Sequence, residues 1–145
     1  IRGLDTQLTK TALTDTYLGV TGDGTVRVTP SWTAFNICGT GTMVEIIDNV
    51  EGEVVERYFI VIYGDVNGDS AVSANDIPAI NKEVLGATYW SIEGDDQYDK
   101  AKVLAADLRD DGENAIVDGL DATLIRDVTL SVAYIDQTTG EVIYY

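Results

Sequence analysis

Gly64-Asp65-Val66-Asn67-Gly68-Asp69-Ser70-Ala71-Val72-Ser73-Ala74-Asn75-Asp76-Ile77 is the stretch on which the reading of this chain turns. Counted from Asp65, oxygen-bearing side chains fall at positions 1, 3, 5, 9 and 12, which are Asp65, Asn67, Asp69, Ser73 and Asp76. A hard cation of the size of Ca2+ takes about six to eight oxygen ligands, and a twelve-residue loop with this spacing brings them to one side. Ala71, at position 7, offers its backbone carbonyl, and Val72 behind it is apolar and suited to pack inward. Carboxylates crowded this closely repel one another unless a cation neutralises them. Two positions depart from the EF-hand pattern: Ser70 stands where glycine makes the sharp turn, and Asp76 replaces a bidentate glutamate. Both are expected to weaken the site without abolishing it.

Asp76-Ile77-Pro78-Ala79-Ile80 is echoed 45 residues later by Asp121-Ala122-Thr123-Leu124-Ile125, each an acidic residue opening an apolar helical segment. Two registers fit the residues upstream of Asp121. One puts Asp107 at position 1, Leu108 at 2, Asp111 at 5 and Gly112 at 6, with Arg109 at a ligand position and three extra residues before Val117. The other starts at Asp110 and puts Gly112 at 3, Asn114 at 5, Ile116 at 7 and Asp118 at 9. Leu108 and Gly112 favour the first, and in either case Asp118 and Asp121 are ligands or hold water. Between the loops, Asp99 to Ala106 reads as a helix delivering the second loop, after an acidic, aromatic connection from Ala87 to Tyr98. Tyr89 and Trp90 are expected to cover the helix pair.

On the amino-terminal side, residues 1–63 read as a strand-rich module. Alternation in Thr25 to Thr29, Met43 to Ile47 and the apolar run Val54 to Tyr63 gives three strands, separated by Gly22-Asp23-Gly24 and the loop Asp48 to Gly52. Thr9 is an acceptable N-cap for a short helix carrying Ala12, Leu13, Tyr17 and Leu18. Trp32, Phe35 and Cys38 are expected in the core. Tyr63-Gly64-Asp65 runs from strand into acidic loop with no flexible linker, so the two modules should touch and move together. Beyond residue 131, Tyr134 to Tyr144 suits two short strands around a Thr138-Thr139-Gly140 turn. The fold class is therefore α+β: a small β-rich module, Ig-like or α/β, over 1–63, paired EF-hand-like loop-helix repeats over 64–131, and a hairpin tail over 132–145.

Composition narrows the chemistry. With 25 acidic against 9 basic residues in 145, the net charge of −16 repels nucleic acid and anionic lipid. The stretch from Gly64 to Asp121 alone holds 14 of those acids, in fewer than half of the positions. No apolar run approaches the ~20 residues that span a bilayer. Zero histidines removes every His-dependent nucleophilic triad, and a single cysteine excludes an internal disulfide. The clustered carboxylates are spaced as metal ligands rather than as a glycosidase acid/base pair, so no enzyme is expected. Ile1, with neither an initiator methionine nor a leader pattern around it, suggests a piece of a longer polypeptide.

The paired repeats, Gly64-Asp65-Val66-Asn67-Gly68-Asp69…Asp76 and Ala105-Ala106-Asp107-Leu108…Asp111-Gly112…Asp121, resemble a dockerin over residues 64 to about 131. The strand-rich segment ending Tyr58-Phe59-Ile60-Val61-Ile62-Tyr63 is similar to the X module that precedes some dockerins in secreted proteins of anaerobic, plant-fibre-degrading bacteria. The resemblance implies two Ca2+ ions and a non-catalytic docking role. The partner would be a cohesin domain of a scaffoldin or cell-surface protein, holding the parent extracellularly in a cellulosome-type, polysaccharide-degrading assembly. The surfaces presented would be Ala74, Asn75, Asn81 and Lys82 in the first repeat and Gly119, Leu120, Arg126 and Asp127 in the second. Because apolar Leu120 stands against polar Asn75, one binding orientation should dominate. The rival expectation is a calcium-stiffened structural or adhesive segment of a surface protein, with no cohesin partner.

Overall fold

A computed structural model describes residues 1–91, 96–109 and 116–145. The protein is α+β. Strands β1 (Gly24–Thr29), β2 (Met43–Asp48) and β3 (Val54–Phe59) form an antiparallel meander in the order β1-β2-β3, with a bulge at Ile46/Ile47. Glu45 explains the register. Its side chain is only 2% exposed, opposite Arg27 on one strand and Arg57 on the other, and accepts from both guanidinium groups at 2.8 Å. The hydrogen bonds from Arg57 and Arg27 hold its carboxyl below the usual range. A slip by one residue would leave this buried charge unpaired.

The amino-terminal module departs from the Ig-like or α/β expectation. Residues 1–63 contain one three-stranded sheet and no second sheet to make a sandwich. A short helix covers it instead: α1 (Lys10–Ala12), capped by Thr9, runs into a π-helical turn at Leu13–Tyr17. Trp32 and Phe35 are not core residues. They stand 44% and 64% exposed, edge to face at 5.0 Å, because the tight loop closed by Trp32–Ile37 pairing turns them outward through left-handed Asn36. Cys38 is fully buried, and burial pushes its thiol up.

Helices α2 (Ile77–Val84) and α4 (Gly119–Thr129) pack on one another, with α3 (Gln97–Ala106) between the loops. The apolar stripe of α2 buries Ile80, and α4 buries Ile125. Among the described residues, no helix is long and apolar enough to cross a membrane. Strands β4 (Ala133–Ile135) and β5 (Val142–Tyr144) close the chain as a hairpin.

Two hydrophobic clusters meet at one extended segment. Side chains along an extended chain alternate between opposite faces. Ile60 and Ile62 accordingly enter the cluster of Leu8, Leu13, Val28 and Val44, whereas Val61 and Tyr63 enter that of Val66, Ile80, Ala105 and Ile125. Both cores therefore share residues 60–63. The backbone of Tyr63 is satisfied from far along the chain: its N–H donates to Gln137 Oε1 at 2.8 Å and its carbonyl accepts from Gln137 Nε2 at 2.9 Å.

Candidate metal centre

The first loop is organised from its two ends inward. Asp65 is fully buried; its Oδ1 accepts from the Gly68 N–H at 2.8 Å and its Oδ2 from the Ser70 N–H at 3.0 Å. Asp76 precedes α2 but does not cap it. Its carboxylate turns back into the loop, with Oδ1 accepting from Val66 and Asn67 N–H groups and Oδ2 from Ser73 N–H. Between them, Asn67 Oδ1 accepts from Asp69 N–H and Asp69 Oδ1 from Ala71 N–H, curling the backbone around the acidic side chains. Val72 packs on the neighbouring core.

Burial raises Asp65 from its ordinary 3.8 to about 6, with the Asp76 charge adding to the rise. Burial likewise pushes up Asp76. Beside them lies Lys102 of α3, 5% exposed, its ammonium donating to the Val66 carbonyl at 2.7 Å and attracted by Asp65, Asp76 and Asp69. Its own burial outweighs that attraction and lowers its pKa. A lone ammonium against three carboxylates leaves the loop net negative, a field that favours a further cation.

The amino-terminal module grips this loop. Thr40 N–H donates to Asp65 Oδ2 at 2.9 Å, Ser31 Oγ donates to the Gly68 carbonyl at 2.7 Å, and Leu8 N–H donates to Ser70 Oγ at 2.9 Å. Ser70 adopts φ +66°, the left-handed turn that glycine would make at lower cost. Its hydroxyl and carbonyl, taken by Leu8 and Gln7 N–H groups, account for a serine there. Gly39 explains how closely the segments approach, since a Cβ on it would lie 2.4 Å from Asp65 Oδ2.

The second loop repeats the closure. Asp121 Oδ1 accepts from Leu108 N–H at 3.0 Å and Oδ2 from Asp118 N–H at 2.8 Å, as Asp76 does from Val66 and Ser73. Leu120 N–H donates to Asp118 as Asn75 N–H donates to Ser73. Leu108 thus occupies the place of Val66, which aligns Asp107 with Asp65 and leaves three additional residues in the second loop. Burial pushes Asp121 up as well. Asp110, Asp111 and Asn114 lie outside the described residues, and Ile116 is 53% exposed.

Among the described residues, no three Asp, Glu, Cys or His side chains converge as a cage of their own. The donors the first loop offers are mixed: Asp65, Asn67, Asp69 and Asp76 side chains, the Ala71 carbonyl and the Ser73 hydroxyl. This all-oxygen set fits a hard cation such as Ca2+ and not a soft one.

The expected partner-facing residues Ala74, Asn75, Asn81, Lys82, Gly119, Leu120 and Arg126 are exposed, and Asp127 is half-buried, held by Arg126 at 2.9 Å and the Tyr144 hydroxyl at 3.0 Å. Trp90 packs on the helical core and donates its backbone N–H to Glu83, whereas Tyr89 is 83% exposed. Sequence reasoning missed Lys102, Gly39 and Gln137. Gly39 and Gly41 in an otherwise strand-like stretch were the available signal for close backbone approach.

No protein-family model matches the chain, and no match was found among curated proteins or solved structures.

Proposed function

We propose that this chain is a calcium-dependent, non-catalytic docking module. It seats on a cohesin domain and anchors its parent in a cellulosome-type assembly outside a bacterial cell. The observation that carries this reading is the duplicated closure, in which Asp76 and Asp121 each hold the N–H at loop position 2 and the N–H three residues before themselves. Residues 64–131 are read as the dockerin and 1–63 as an X module that braces its first loop. Asp65, Asn67, Asp69, Ala71, Ser73 and Asp76 would hold one ion, and Asp107, Asp118 and Asp121 contribute to the second. Bound only by the folded state, the ions would fix the first turns of α2 and α4 and so the exposed residues on them.

Calorimetric titration of the EDTA-stripped chain with Ca2+, followed by a panel of cohesins with and without the ion, tests this. Two calcium equivalents and calcium-dependent cohesin binding are expected, with Leu120→Asp plus Arg126→Glu lowering affinity at least about tenfold. Calcium binding with no response from any cohesin would replace the docking role by the stiffened surface segment. No calcium binding would overturn both.

A further inference from the structure

We infer that a cleft between β3 and α3 is a binding site for a small organic carboxylate. The cleft, about 220 Å³, is lined by Arg2, Arg57 and Lys100 at its polar side and by Phe59, Val61 and Leu104 among its apolar walls. Among the described residues, none that lines it is acidic. It gathers three of the nine basic residues of a chain whose net charge is −16.

The cations keep spare capacity. Arg57 reaches Glu45, but that carboxylate also serves Arg27, so one negative charge is divided between two guanidinium groups. Arg2 spends one of its five N–H donors on the neutral Tyr63 hydroxyl at 2.9 Å. Lys100 makes no salt bridge among the described residues. The Nε–Nη2 edge of Arg57 is closed on Glu45, and its remaining N–H groups, the Arg2 guanidinium and the Lys100 ammonium around one cleft suit a small oxyanion. The three side chains carry this charge irrespective of the Ile1 amino group, which also borders the cleft.

The walls define the rest of the ligand. Phe59 and Leu104 offer apolar surface that a hydrated inorganic anion cannot use, so the carboxylate carries a small apolar body. A cleft of this size lies below the range typical of drug-sized ligands. The long-range field of the chain repels polyanions and acidic protein surfaces, while a single carboxylate meets little of that repulsion at physiological salt. The cleft lies outside both acidic loops, so the site stands or falls independently of calcium and cohesin binding.

Titration of the intact chain with benzoate at fixed ionic strength, followed through backbone amide NMR shifts, tests the site. Saturable shifts centred on residues 57–61 and 97–104 are expected. Neutral benzamide and sulfate should each bind at least about tenfold more weakly than benzoate, as should benzoate to Lys100→Gln and to Arg2→Gln/Lys100→Gln. Arg57 is left in place because it holds Glu45, and both variants should melt within about 2 °C of the parent. Shifts that rise linearly without saturating, or unchanged benzoate affinity in the folded variants, would overturn the site. Sulfate binding as tightly as benzoate would overturn the carboxylate class.

Discussion

Asp65 of the first loop accepts from Thr40 of the amino-terminal module as well as from its own loop, and Lys102 closes over the Val66 carbonyl beside it. Its counterpart by position, Asp107, borders a cavity of about 440 Å³ shared with Tyr63, Leu108 and the Thr139-Gly140 turn. The two loops use the same closing carboxylate but differ in what surrounds them. The grip of the amino-terminal module on the first loop, through Thr40, Ser31 and Leu8, is thus expected to order that loop even without an ion.

Removing calcium is the largest way to test that difference. On the proposed reading, each site would stabilise the fold by about 4 kcal/mol when free Ca2+ is a thousandfold above its dissociation constant. Melting with and without EDTA should show the loss, and Asp76→Ala or Asp121→Ala should each leave one calcium equivalent by titration. If the loops were equally ordered without the ion, amide exchange on EDTA treatment would rise in both alike; the clamp predicts a larger rise around Leu108 and Asp118 than around Val66 and Ser73.

In the metal-free protein the buried Asp65 carboxyl should make a contribution to stability that is lost as pH rises. Asp65 titrates at about 6 when folded and near 3.8 otherwise, so between these values the folded state holds a proton that the unfolded state has released. The Asp65 contribution is then greatest below about pH 4 and falls toward pH 6, by about 3 kcal/mol at ~1.4 kcal/mol per pH unit. Asp76 and Asp121 act in the same direction. Glu45, Asp48 and Asp127, whose carboxyls are held down by their hydrogen bonds, set the opposite trend. Urea unfolding in EDTA at pH 4 and pH 7, compared between the parent and Asp65→Asn, measures the Asp65 contribution; the variant should gain stability relative to the parent as pH rises, and an identical pH profile for the two would contradict the assignment.

Gly39→Ala separates the loops directly. Its Cβ would meet Asp65 Oδ2 at 2.4 Å and the Gly68 carbonyl at 2.5 Å, so the segment must back away, at a cost of about 2 kcal/mol. Two-site calcium titration should show the first affinity falling and the second unchanged. Ser70→Ala is the mildest probe. It removes the acceptor of the Leu8 N–H and should cost about 1 kcal/mol by thermal melt, again at the first loop alone.

The α+β class, the three strands, the Thr9 cap and helices α2 and α4 were legible because each follows from local periodicity or turn chemistry, although β3 ends at Phe59 and not at Tyr63. Helix α3 was too, although its start is set by Asp96, whose side chain accepts from Tyr98 N–H, rather than by Asp99. What could not be read from sequence depends on tertiary approach. Trp32 and Phe35 sit in an apolar stretch, yet the Trp32–Ile37 pairing forces them outward. Lys102 looks like an ordinary surface lysine in an alanine-rich helix, and only the arrival of the first loop buries it. Ser70 reads as a defect until Leu8 is seen to need its hydroxyl.

The clasp of Tyr63 by Gln137 bears on how the chain reaches this state. An amide side chain 74 positions away stands in for a neighbouring strand, giving the backbone of Tyr63 both of its partners. The segment that joins both cores therefore cannot be completed while Gln137 is still inside the ribosome, and its pairing closes a very long loop. Such distant pairings slow folding. Whatever orders the first loop early, the final docking step must wait for the hairpin that carries Gln137.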